Sequence, residues 1–334
     1  MNVAIIGASG YTGLELIKIL INHPKFNITY IANSTGEENV QDLHPCLRDV
    51  LNIEVSKADA KEVSQVADLA FLALPHKTSM FFAKELLDLG VKVVDLSADY
   101  RLELETYEKH YCPHEDKEHI KDSVYGLPEY YNEELKDAKL VANPGCYPTA
   151  SLLALLPFVD YIEEGTPIFI DAKSGVSGAG KKLSEVAHFV NLNENHHAYN
   201  PFKHRHMPEI EEKVKKVKGK DFQINFVPHL LPVTRGMLVS VYATLKEEVD
   251  VKEILNNAYS NSEFVRVRET PVDLKSTAGT NFCDIFVERN KKALFINSSI
   301  DNLLRGASSQ AVVNANIMCG FEEGEGIPKI AYVP

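Results

Sequence analysis

The sequence predicts an α/β protein with a doubly wound parallel sheet of the Rossmann type and a second α+β domain on a mixed or antiparallel sheet. Three observations lead to this prediction. The chain has 334 residues, and one domain usually takes about 100–200 residues. Its first half alternates short apolar segments with helical ones, whereas its second half has longer apolar segments with few helices. A glycine-rich turn follows the first apolar segment.

The apolar segments of the first half are mostly continuous, as expected for parallel strands that are buried on both faces. They lie at residues 3–6, 28–32, 69–74, 91–96 and 140–142. Between them, residues 14–20 and 81–89 have helical spacing of apolar side chains. Strand and helix in alternation predict a doubly wound sheet.

Longer strands are predicted after about residue 150, at residues 168–172, 224–227, 238–245, 264–267, 283–287 and 294–300. Phe295, Asn297 and Ser299 alternate with apolar neighbours, which is typical of an antiparallel sheet with one solvated face. Residues 307–319 form a small-residue helix that can pack back on the first domain. We therefore assign residues 1–147 and about 306–334 to the first domain, and residues 148–305 to the second.

Composition excludes several functional classes. The formal net charge of -12 disfavours nucleic acid and anionic membranes as partners. No apolar run approaches the roughly 18–20 residues that cross a bilayer, and no basic leader precedes the first strand, so we expect a cytoplasmic protein. The five cysteines contain no C-x-x-C pair, which argues against a disulfide framework or a zinc site.

The turn GASGYTG at residues 7–13 lies between the first predicted strand and the first helix. Glycines there allow a tight turn and a close approach to a pyrophosphate, whose charge is stabilised at the helix N-terminus. The alternative is an ordinary glycine-rich turn. The predicted cofactor-binding residues of this turn are Gly7, Ser9, Gly10, Tyr11, Thr12 and Gly13.

The end of the second predicted strand favours NADP over NAD. An NAD site usually has Asp or Glu there to bind the ribose 2′-hydroxyl. Here Asn33 is followed by Ser34 and Thr35, with no acid before Glu37. Hydroxyl groups accommodate a 2′-phosphate that a carboxylate would repel, so we predict that Ser34 and Thr35 contact NADP.

The run NPGCYPT at residues 143–149 contains the candidate nucleophile, Cys146. It follows a predicted strand and precedes an apolar helical segment, and Pro148 suits a first helical turn. A cysteine at a helix N-terminus is favoured as a thiolate, and the nearby amides can stabilise an oxyanion. The alternative is a buried structural thiol, which we expect for Cys46, Cys112, Cys283 and Cys319.

Histidines at residues 196, 197, 204 and 206 supply candidates for the acid or base. Pro208 and Glu209 resemble a first helical turn, which places His204 in the loop before it and lets Glu209 orient a histidine. A zinc site and a set of surface histidines remain alternatives; we predict no metal.

Anionic groups of a substrate need local donors in so acidic a chain. The loop KSGVSGAGK at residues 173–181 offers backbone N–H groups. Arg101 and Arg235 offer planar guanidinium groups that suit carboxylate and phosphate. The alternative for each arginine is a surface ion pair.

Together these blocks resemble the N-acetyl-gamma-glutamyl-phosphate reductase family of arginine biosynthesis, which is related to aspartate-semialdehyde dehydrogenases. The resemblance covers nearly the whole chain. It runs through GASGYTG, LSADYR at residues 96–101, YGLPE at 125–129, NPGCYPT, KSGVSGAG, HRHMPEI at 204–210, HLLPVTRG at 229–236 and DNLLRGASSQAV at 301–312.

The resemblance implies reduction of N-acetyl-glutamyl 5-phosphate by NADPH through a thioester on Cys146, with release of inorganic phosphate. It implies that His204 is the acid/base, that Glu209 supports it and that Tyr199 lies close by. It also implies a second domain that carries catalysis and subunit contacts, and thus a homodimer or homotetramer. The residues that it places near the nicotinamide are Ser177, Gly178 and Asn314.

Three alternatives stay open at this point. Another acyl-phosphate reductase, acting on aspartyl phosphate or a 2-aminoadipate derivative, would share the fold and mechanism. A non-catalytic nucleotide-sensing module would keep the glycine-rich turn but would not need Cys146 or the histidines. A zinc hydrolase would bind stoichiometric metal.

Overall fold

Two compact units make up the chain in the computed structural model, which describes residues 1–332 apart from the side chain of Val186. The first unit comprises Met1–Pro144 and Ala307–Pro328. The second comprises Gly145–Gly306 and the end of the chain from Lys329. The boundary thus precedes Cys146, and the chain end groups with the second unit rather than with the first, where the sequence analysis placed it.

Fifteen strands form within the described residues. They are β1 Asn2–Ile6, β2 Asn27–Asn33, β3 Glu38–Asn39, β4 Glu54–Lys57, β5 Leu69–Leu72, β6 Lys92–Asp95, β7 Val124–Tyr125, β8 Leu140–Ala142, β9 Ile168–Gly175, β10 His197–Ala198, β11 Ile224–Leu231, β12 Met237–Thr244, β13 Val265–Val267, β14 Cys283–Asn290 and β15 Ala293–Ile300.

Eleven α-helices accompany them in the same part of the chain. They are α1 Tyr11–Leu20, α2 Val40–Leu43, α3 Ala60–Val66, α4 Ser79–Asp88, α5 Leu104–His110, α6 Pro128–Lys136, α7 Cys146–Leu155, α8 Phe189–Leu192, α9 Met207–Lys218, α10 Val251–Tyr259 and α11 Ser308–Met318. Short 3-10 helices lie at Pro45–Leu47, Ile120–Asp122, Leu156–Tyr161, Val176–Ala179 and Glu185–Ala187.

The first unit is built on an eight-stranded sheet in the order β3-β4-β2-β1-β5-β6-β8-β7. All neighbouring strands are parallel except the short pair β3 and β4. The central strands β1 and β5 are buried along almost their whole length, which explains their continuous apolar sequences. The predicted Rossmann-type sheet is confirmed, and α11 packs against α1 and α6 of the same unit.

The second unit is built on a seven-stranded mixed sheet in the order β10-β11-β9-β12-β15-β14-β13. Two pairs, β11 with β9 and β13 with β14, are parallel, and the other four pairs are antiparallel. Helices α7, α9 and α10 pack against this sheet. Alternate residues of β11 are buried, as expected for a strand with one covered face. The predicted mixed sheet is confirmed.

Capping explains where several helices begin. Asp59 before α3 and Asp250 before α10 each accept two backbone N–H groups of the first helical turn. Gly219 ends α9 in the left-handed conformation. Along the described chain, none of the helices is both long enough and apolar enough to span a membrane.

Candidate active site

Glycine is required at two positions of the turn between β1 and α1. Gly7 has a φ of +98°, and a Cβ atom there would lie 2.3 Å from the carbonyl oxygen of Ala73. A Cβ atom at Gly13 would lie 2.5 Å from the carbonyl oxygen of Gly7. At Gly10, by contrast, the nearest heavy atom would be 3.8 Å away. The turn is therefore packed on its protein side and open at Gly10, where a pyrophosphate can approach the start of α1.

The end of β2 carries the predicted 2′-phosphate contacts. Ser34 and Thr35 are both exposed, but the N–H and hydroxyl groups of Thr35 donate to the side-chain oxygen of Asn33. The side-chain amide of Asn33 donates to the carboxylate of Glu38 at 2.7 Å and so fixes the position of this acid. Lys57 is the strand partner of Asn33 and is exposed. Ser34 and the neighbouring Lys57 are thus the better donors, and sequence reasoning missed Lys57.

Cys146 is the first residue of α7, after Gly145 in an extended conformation at the N-cap. Pro148 follows in the first turn, where a missing N–H costs little. The first amides of a helix have no acceptor within it, so the N–H groups of Cys146 and Tyr147 face the N-terminal end. The half-buried thiol of Cys146 thus lies where both a thiolate and an oxyanion are stabilised.

A cluster of aromatic and imidazole rings lies within the same unit. The hydroxyl groups of Tyr147 and Tyr199 are 3.1 Å apart. The ring centre of His204 lies 5.5 Å from that of Tyr147, 5.6 Å from that of Tyr199 and 5.5 Å from that of Phe226. Burial lowers the pKa of His204 to about 4, and the charge of Arg205 adds to this effect. His204 is therefore neutral at pH 7.

The charge of Cys146 affects the pKa values of Tyr199 and Tyr147. Burial raises the pKa of Tyr199 to about 12, a hydrogen bond with Tyr147 opposes this shift, and the charge of Cys146 adds to it. Burial also raises the pKa of Tyr147, followed by the effects of Tyr199 and Cys146. Both tyrosines therefore remain protonated hydroxyl donors near Cys146. The resemblance named Tyr199, but sequence reasoning missed Tyr147.

Glu209 lies in the first turn of α9 and is almost fully buried. One of its carboxylate oxygens accepts a hydrogen bond from the N–H of Gly145 at 3.1 Å. Nδ1 of His204 accepts the N–H of His206 at 3.2 Å, which leaves the proton of the neutral ring on Nε2. Glu209 thus holds the residue before Cys146, and the loop before α9 holds His204.

The second glycine-rich loop is also tied to its surroundings. Ser177 lies in the 3-10 helix Val176–Ala179, and its hydroxyl accepts from the amide of Asn302 at 2.9 Å. A Cβ atom at Gly178 would lie 3.0 Å from the hydroxyl of Ser174. Asn302 also accepts the N–H of Gly236 at 2.8 Å. Asn302 therefore joins the loop to the segment of Arg235, a link that no local sequence signal revealed.

Both predicted substrate arginines are anchored by the protein. Nη2 and Nε of Arg235 each lie 3.0 Å from a carboxylate oxygen of the fully buried Asp301. Arg101 is buried, and it donates to the carbonyl oxygens of Asn143 at 2.7 Å and Leu96 at 2.8 Å. Arg101 therefore holds the chain three residues before Cys146.

Two buried amides on α11 face the same backbone carbonyl. Asn314 and Gln310 both donate to the oxygen of Gly126, at 3.0 Å and 2.6 Å. Their own side-chain oxygens, fully buried, have no hydrogen-bond partner among the described residues. Ser308 donates to the backbone oxygen of Thr12, which ties α11 to α1. Two orphaned acceptors on the helix beside the glycine-rich turn fit a ligand with N–H donors, such as a nicotinamide carboxamide. Gln310 lies four residues before Asn314 on the same helix, and this spacing in the sequence could have identified Gln310 as a second candidate.

The remaining cysteines differ in exposure, and the described residues also bear on the zinc alternative. Cys283 is buried, Cys112 and Cys319 are half-buried, and Cys46 is exposed. The expectation of a buried structural thiol is therefore wrong for Cys46. Within residues 1–332, His, Cys, Asp and Glu side chains form no group of three or more that could hold a metal ion.

Comparisons with known proteins agree with this arrangement. The family model described as semialdehyde dehydrogenase, NAD binding domain, matches residues 2–138, and the one described as semialdehyde dehydrogenase, dimerisation domain, matches residues 146–302. A protein of Sulfurovum sp. (strain NBC37-1) named N-acetyl-gamma-glutamyl-phosphate reductase is 63% identical over 334 residues, 100% of both chains. The chain belongs to the N-acetyl-gamma-glutamyl-phosphate reductase family. A relative of the same name from Sulfurimonas denitrificans is 56% identical over 335 residues, covering 100% of this chain and 99% of the relative.

Solved structures show the same fold. Aspartate semialdehyde dehydrogenase II from Vibrio cholerae, complexed with ASA, has a TM-score of 0.72 at 18% identity and covers 96% of this chain and 98% of its own. Aspartate semialdehyde dehydrogenase with NADP from Candida albicans has a TM-score of 0.69 at 13% identity, with coverages of 95% and 98%. The family assignment predicted from the motifs is confirmed, and N-acetyl-gamma-glutamyl-phosphate reductases are oxidoreductases.

Proposed function

We propose that this protein reduces N-acetyl-glutamyl 5-phosphate with NADPH, through a thioester on Cys146, to N-acetyl-glutamate 5-semialdehyde and inorganic phosphate. The observation that carries the proposal is Cys146 at the first position of α7, in one unit with His204 and the tyrosine pair. The substrate is carried over from the name of full-length relatives at 63% and 56% identity.

The first unit fits a nicotinamide cofactor. The turn that is open at Gly10 would receive the pyrophosphate, and the orphaned oxygens of Gln310 and Asn314 would accept from the carboxamide. Ser34 and Lys57 favour a 2′-phosphate, because the nearby Glu38 is already held by Asn33. In the second unit, Ser177 and Gly178 are proposed to approach the nicotinamide ring. When bound, the reduced cofactor supplies the hydride for the reduction.

Cys146 performs the first chemical step. Its thiolate sulfur attacks the acyl carbon, an S–C bond forms, and the C–O bond to the phosphate breaks so that inorganic phosphate leaves. The N–H groups of Cys146 and Tyr147 at the start of α7 stabilise the negative oxygen of the tetrahedral intermediate. Glu209 keeps Gly145 in place, so these N–H groups need no rearrangement.

His204 donates a hydrogen bond to the reacting oxygen. Its neutral ring carries hydrogen on Nε2, and this group hydrogen-bonds the oxyanion of the hemithioacetal formed when the thioester is reduced. Collapse of that oxyanion breaks the C–S bond, forms the aldehyde and returns Cys146 as a thiolate. Tyr199 lies within reach of the same region because it packs on His204.

The anionic parts of the substrate need positive charge. Arg101 is buried and donates to the carbonyl oxygen of Asn143, close to Cys146 in the chain, and its guanidinium group is proposed to attract carboxylate or phosphate. The charge of Arg235 is opposed by Asp301, and it would act mainly as an oriented donor. Assembly as a homodimer or homotetramer is proposed through residues 146–302, which match the dimerisation domain.

The test runs the reaction backwards and measures NADPH absorbance. NADP and N-acetyl-glutamate 5-semialdehyde are mixed with and without inorganic phosphate, with NAD and aspartate semialdehyde as comparison substrates. Phosphate-dependent reduction of NADP with the acetylated aldehyde supports the proposal. Turnover of aspartate semialdehyde instead would move the protein to the related reaction, and turnover independent of phosphate would contradict the acyl-phosphate step.

Cys146→Ser tests the nucleophile. We expect turnover to fall by more than about 1,000-fold, with NADPH binding retained because the cofactor residues of the first unit are unchanged. Cys46→Ser, which removes an exposed thiol, is the control and should retain activity. Comparable activity of Cys146→Ser and Cys46→Ser would contradict the thioester mechanism.

A further inference from the structure

His44 lies at a rigid junction between α2 and the 3-10 helix Pro45–Leu47. Its N–H donates to the carbonyl oxygen of Val40 at 2.9 Å, and its own carbonyl oxygen accepts from Leu47 at 2.9 Å. Pro45 restricts the residue before it to extended conformations, and His44 has φ -133° and ψ 90°. The backbone thus fixes the position from which the His44 side chain extends.

The imidazole reaches the glycine-rich turn. His44 is 6% exposed, and its Nε2 lies 2.7 Å from the carbonyl oxygen of Ala8. A carbonyl oxygen can only accept, so Nε2 of His44 carries the hydrogen. On its other side, the N–H of Ala8 donates to the carbonyl oxygen of Ala32 at the end of β2, at 3.0 Å. Both peptide groups that flank Ala8 are therefore oriented by bonds outside the turn.

This orientation decides which group the turn presents to a ligand. In a trans peptide the C=O and the following N–H point in opposite directions. Because the carbonyl of Ala8 points at His44, the N–H of Ser9 points to the other side of the turn. Ser9 is exposed, and Gly10 beside it leaves open space. An N–H group on that side attracts a phosphate, whereas a carbonyl oxygen would repel it.

We propose that His44 is a positioning residue for the dinucleotide site: it turns the Ala8–Ser9 peptide so that the N–H of Ser9 faces the cofactor pyrophosphate. This inference rests on the proposed binding of NADP at the turn, and it adds a residue that lies 36 positions from Ala8 and outside the motif. His44 does not touch the cofactor; it acts through the backbone of the turn.

The test compares two ligands. His44→Phe keeps a planar ring but removes the donor, and we expect the dissociation constant of NADPH, measured by its fluorescence on binding, to rise about tenfold. Adenosine 2′-monophosphate has no pyrophosphate, so its dissociation constant, measured by calorimetry, should not change. His44→Gln restores an N–H donor and should recover most of the NADPH affinity. If the phenylalanine variant does not fold, His44→Met removes the donor with a more flexible side chain and carries the same expectation.

His114→Phe is the matched control. His114 is 2% exposed, and its Nε2 lies 2.8 Å from the carbonyl oxygen of Asp99, the same bond at another place in the first unit. This variant should lose thermal stability and keep its NADPH affinity. An unchanged NADPH constant in the donor-less His44 variant, an equal loss for both ligands, or an equal loss in His114→Phe would overturn the proposal. Absence of NADPH binding in the unmodified protein would instead overturn the proposed cofactor function.

Discussion

At His204 the protein surrounds an imidazole with three aromatic rings. Tyr147, Tyr199 and Phe226 contribute these rings, and their packing leaves His204 half-buried. The charged form of an imidazole loses more solvation than the neutral form, so burial lowers the pKa of His204 to about 4 from the ordinary value of 6.5. A neutral ring with hydrogen on Nε2 can donate to an oxyanion without first acquiring a proton.

This pKa predicts a pH dependence of stability. Between pH 6.5 and pH 4 the unfolded chain protonates His204 while the folded protein does not, so folding loses stability as the pH falls through this window. Above pH 6.5, His204 is neutral in both states and does not make the stability depend on pH. We expect the melting temperature of the unmodified protein to fall more between pH 7 and pH 5 than that of His204→Asn. An equal fall in melting temperature for the two proteins would contradict the lowered pKa of His204.

Among the elements, the turn between β15 and α11 packs against the start of α7. Asp301 accepts the N–H groups of Leu303 and Leu304 and pairs with Arg235, so the turn has a defined shape. At its end, a Cβ atom on Gly306 would lie 2.6 Å from the Cβ atom of Cys146. Only glycine lets this turn approach Cys146 so closely.

Gly306→Ala is predicted to displace Cys146. A misplacement of about 1 Å can cost about 100-fold in rate, and we expect losses approaching this in turnover and in alkylation of Cys146 by iodoacetamide, followed on its peptide by mass spectrometry. NADPH affinity should persist. The control is Gly219→Ala, at φ +66° with nothing within 4 Å of the added atom, which should lose stability but keep the alkylation rate. Normal alkylation in the Gly306 variant would contradict the steric argument.

At the scale of the whole molecule, the C-terminal segment from Lys329 belongs to the second unit and packs within it. The N–H of Tyr332 donates to the carbonyl oxygen of Ala278 at 3.3 Å, and the Tyr332 ring passes where a Cβ atom on Gly279 would lie only 2.4 Å away. The guanidinium carbon of Arg235 lies 5.8 Å from the centre of that ring. The C-terminal end therefore supports the segment of Arg235, although α11 before it belongs to the first unit.

Truncation after Pro328 is predicted to affect the two units unequally. Loss of the Tyr332 contacts should lower the melting temperature and raise the KM for the acyl substrate, because Arg235 loses a neighbouring ring. The NADPH dissociation constant should stay the same, since the glycine-rich turn and α11 remain. Lys329→Ala removes an exposed ion pair with Glu263 and a contact of the ammonium group with the Phe264 ring, and it should change little. A weakened affinity for NADPH in the truncated protein would contradict the prediction that the truncation affects only the second unit.

Much of the fold follows from local patterns. The continuous apolar runs of β1 and β5 and the proline after Cys146 each predict their element, because backbone geometry and burial act over a few residues. The alternation in β15 predicts a strand, but the expected solvated face is wrong, because Asn297 and Ser299 are buried. The polar strand β4, with sequence EVSK, escaped prediction because its short, polar sequence carries no clear alternation. Helix α10 also escaped, although Asp250 caps it, because a short amphipathic segment among strands carries a weak signal.

The sequence by itself determined the two sheet types, the glycine-rich turn, the family, and Cys146 at a helix start. These depend on neighbouring residues and on motifs that remain in chain order. Only the tertiary structure decided that Glu209 holds Gly145, that Asp301 holds Arg235, and that His44 orients Ala8. Each of these contacts joins residues that are tens of positions apart. Their distances depend on how strands and helices pack, and no local periodicity encodes that packing.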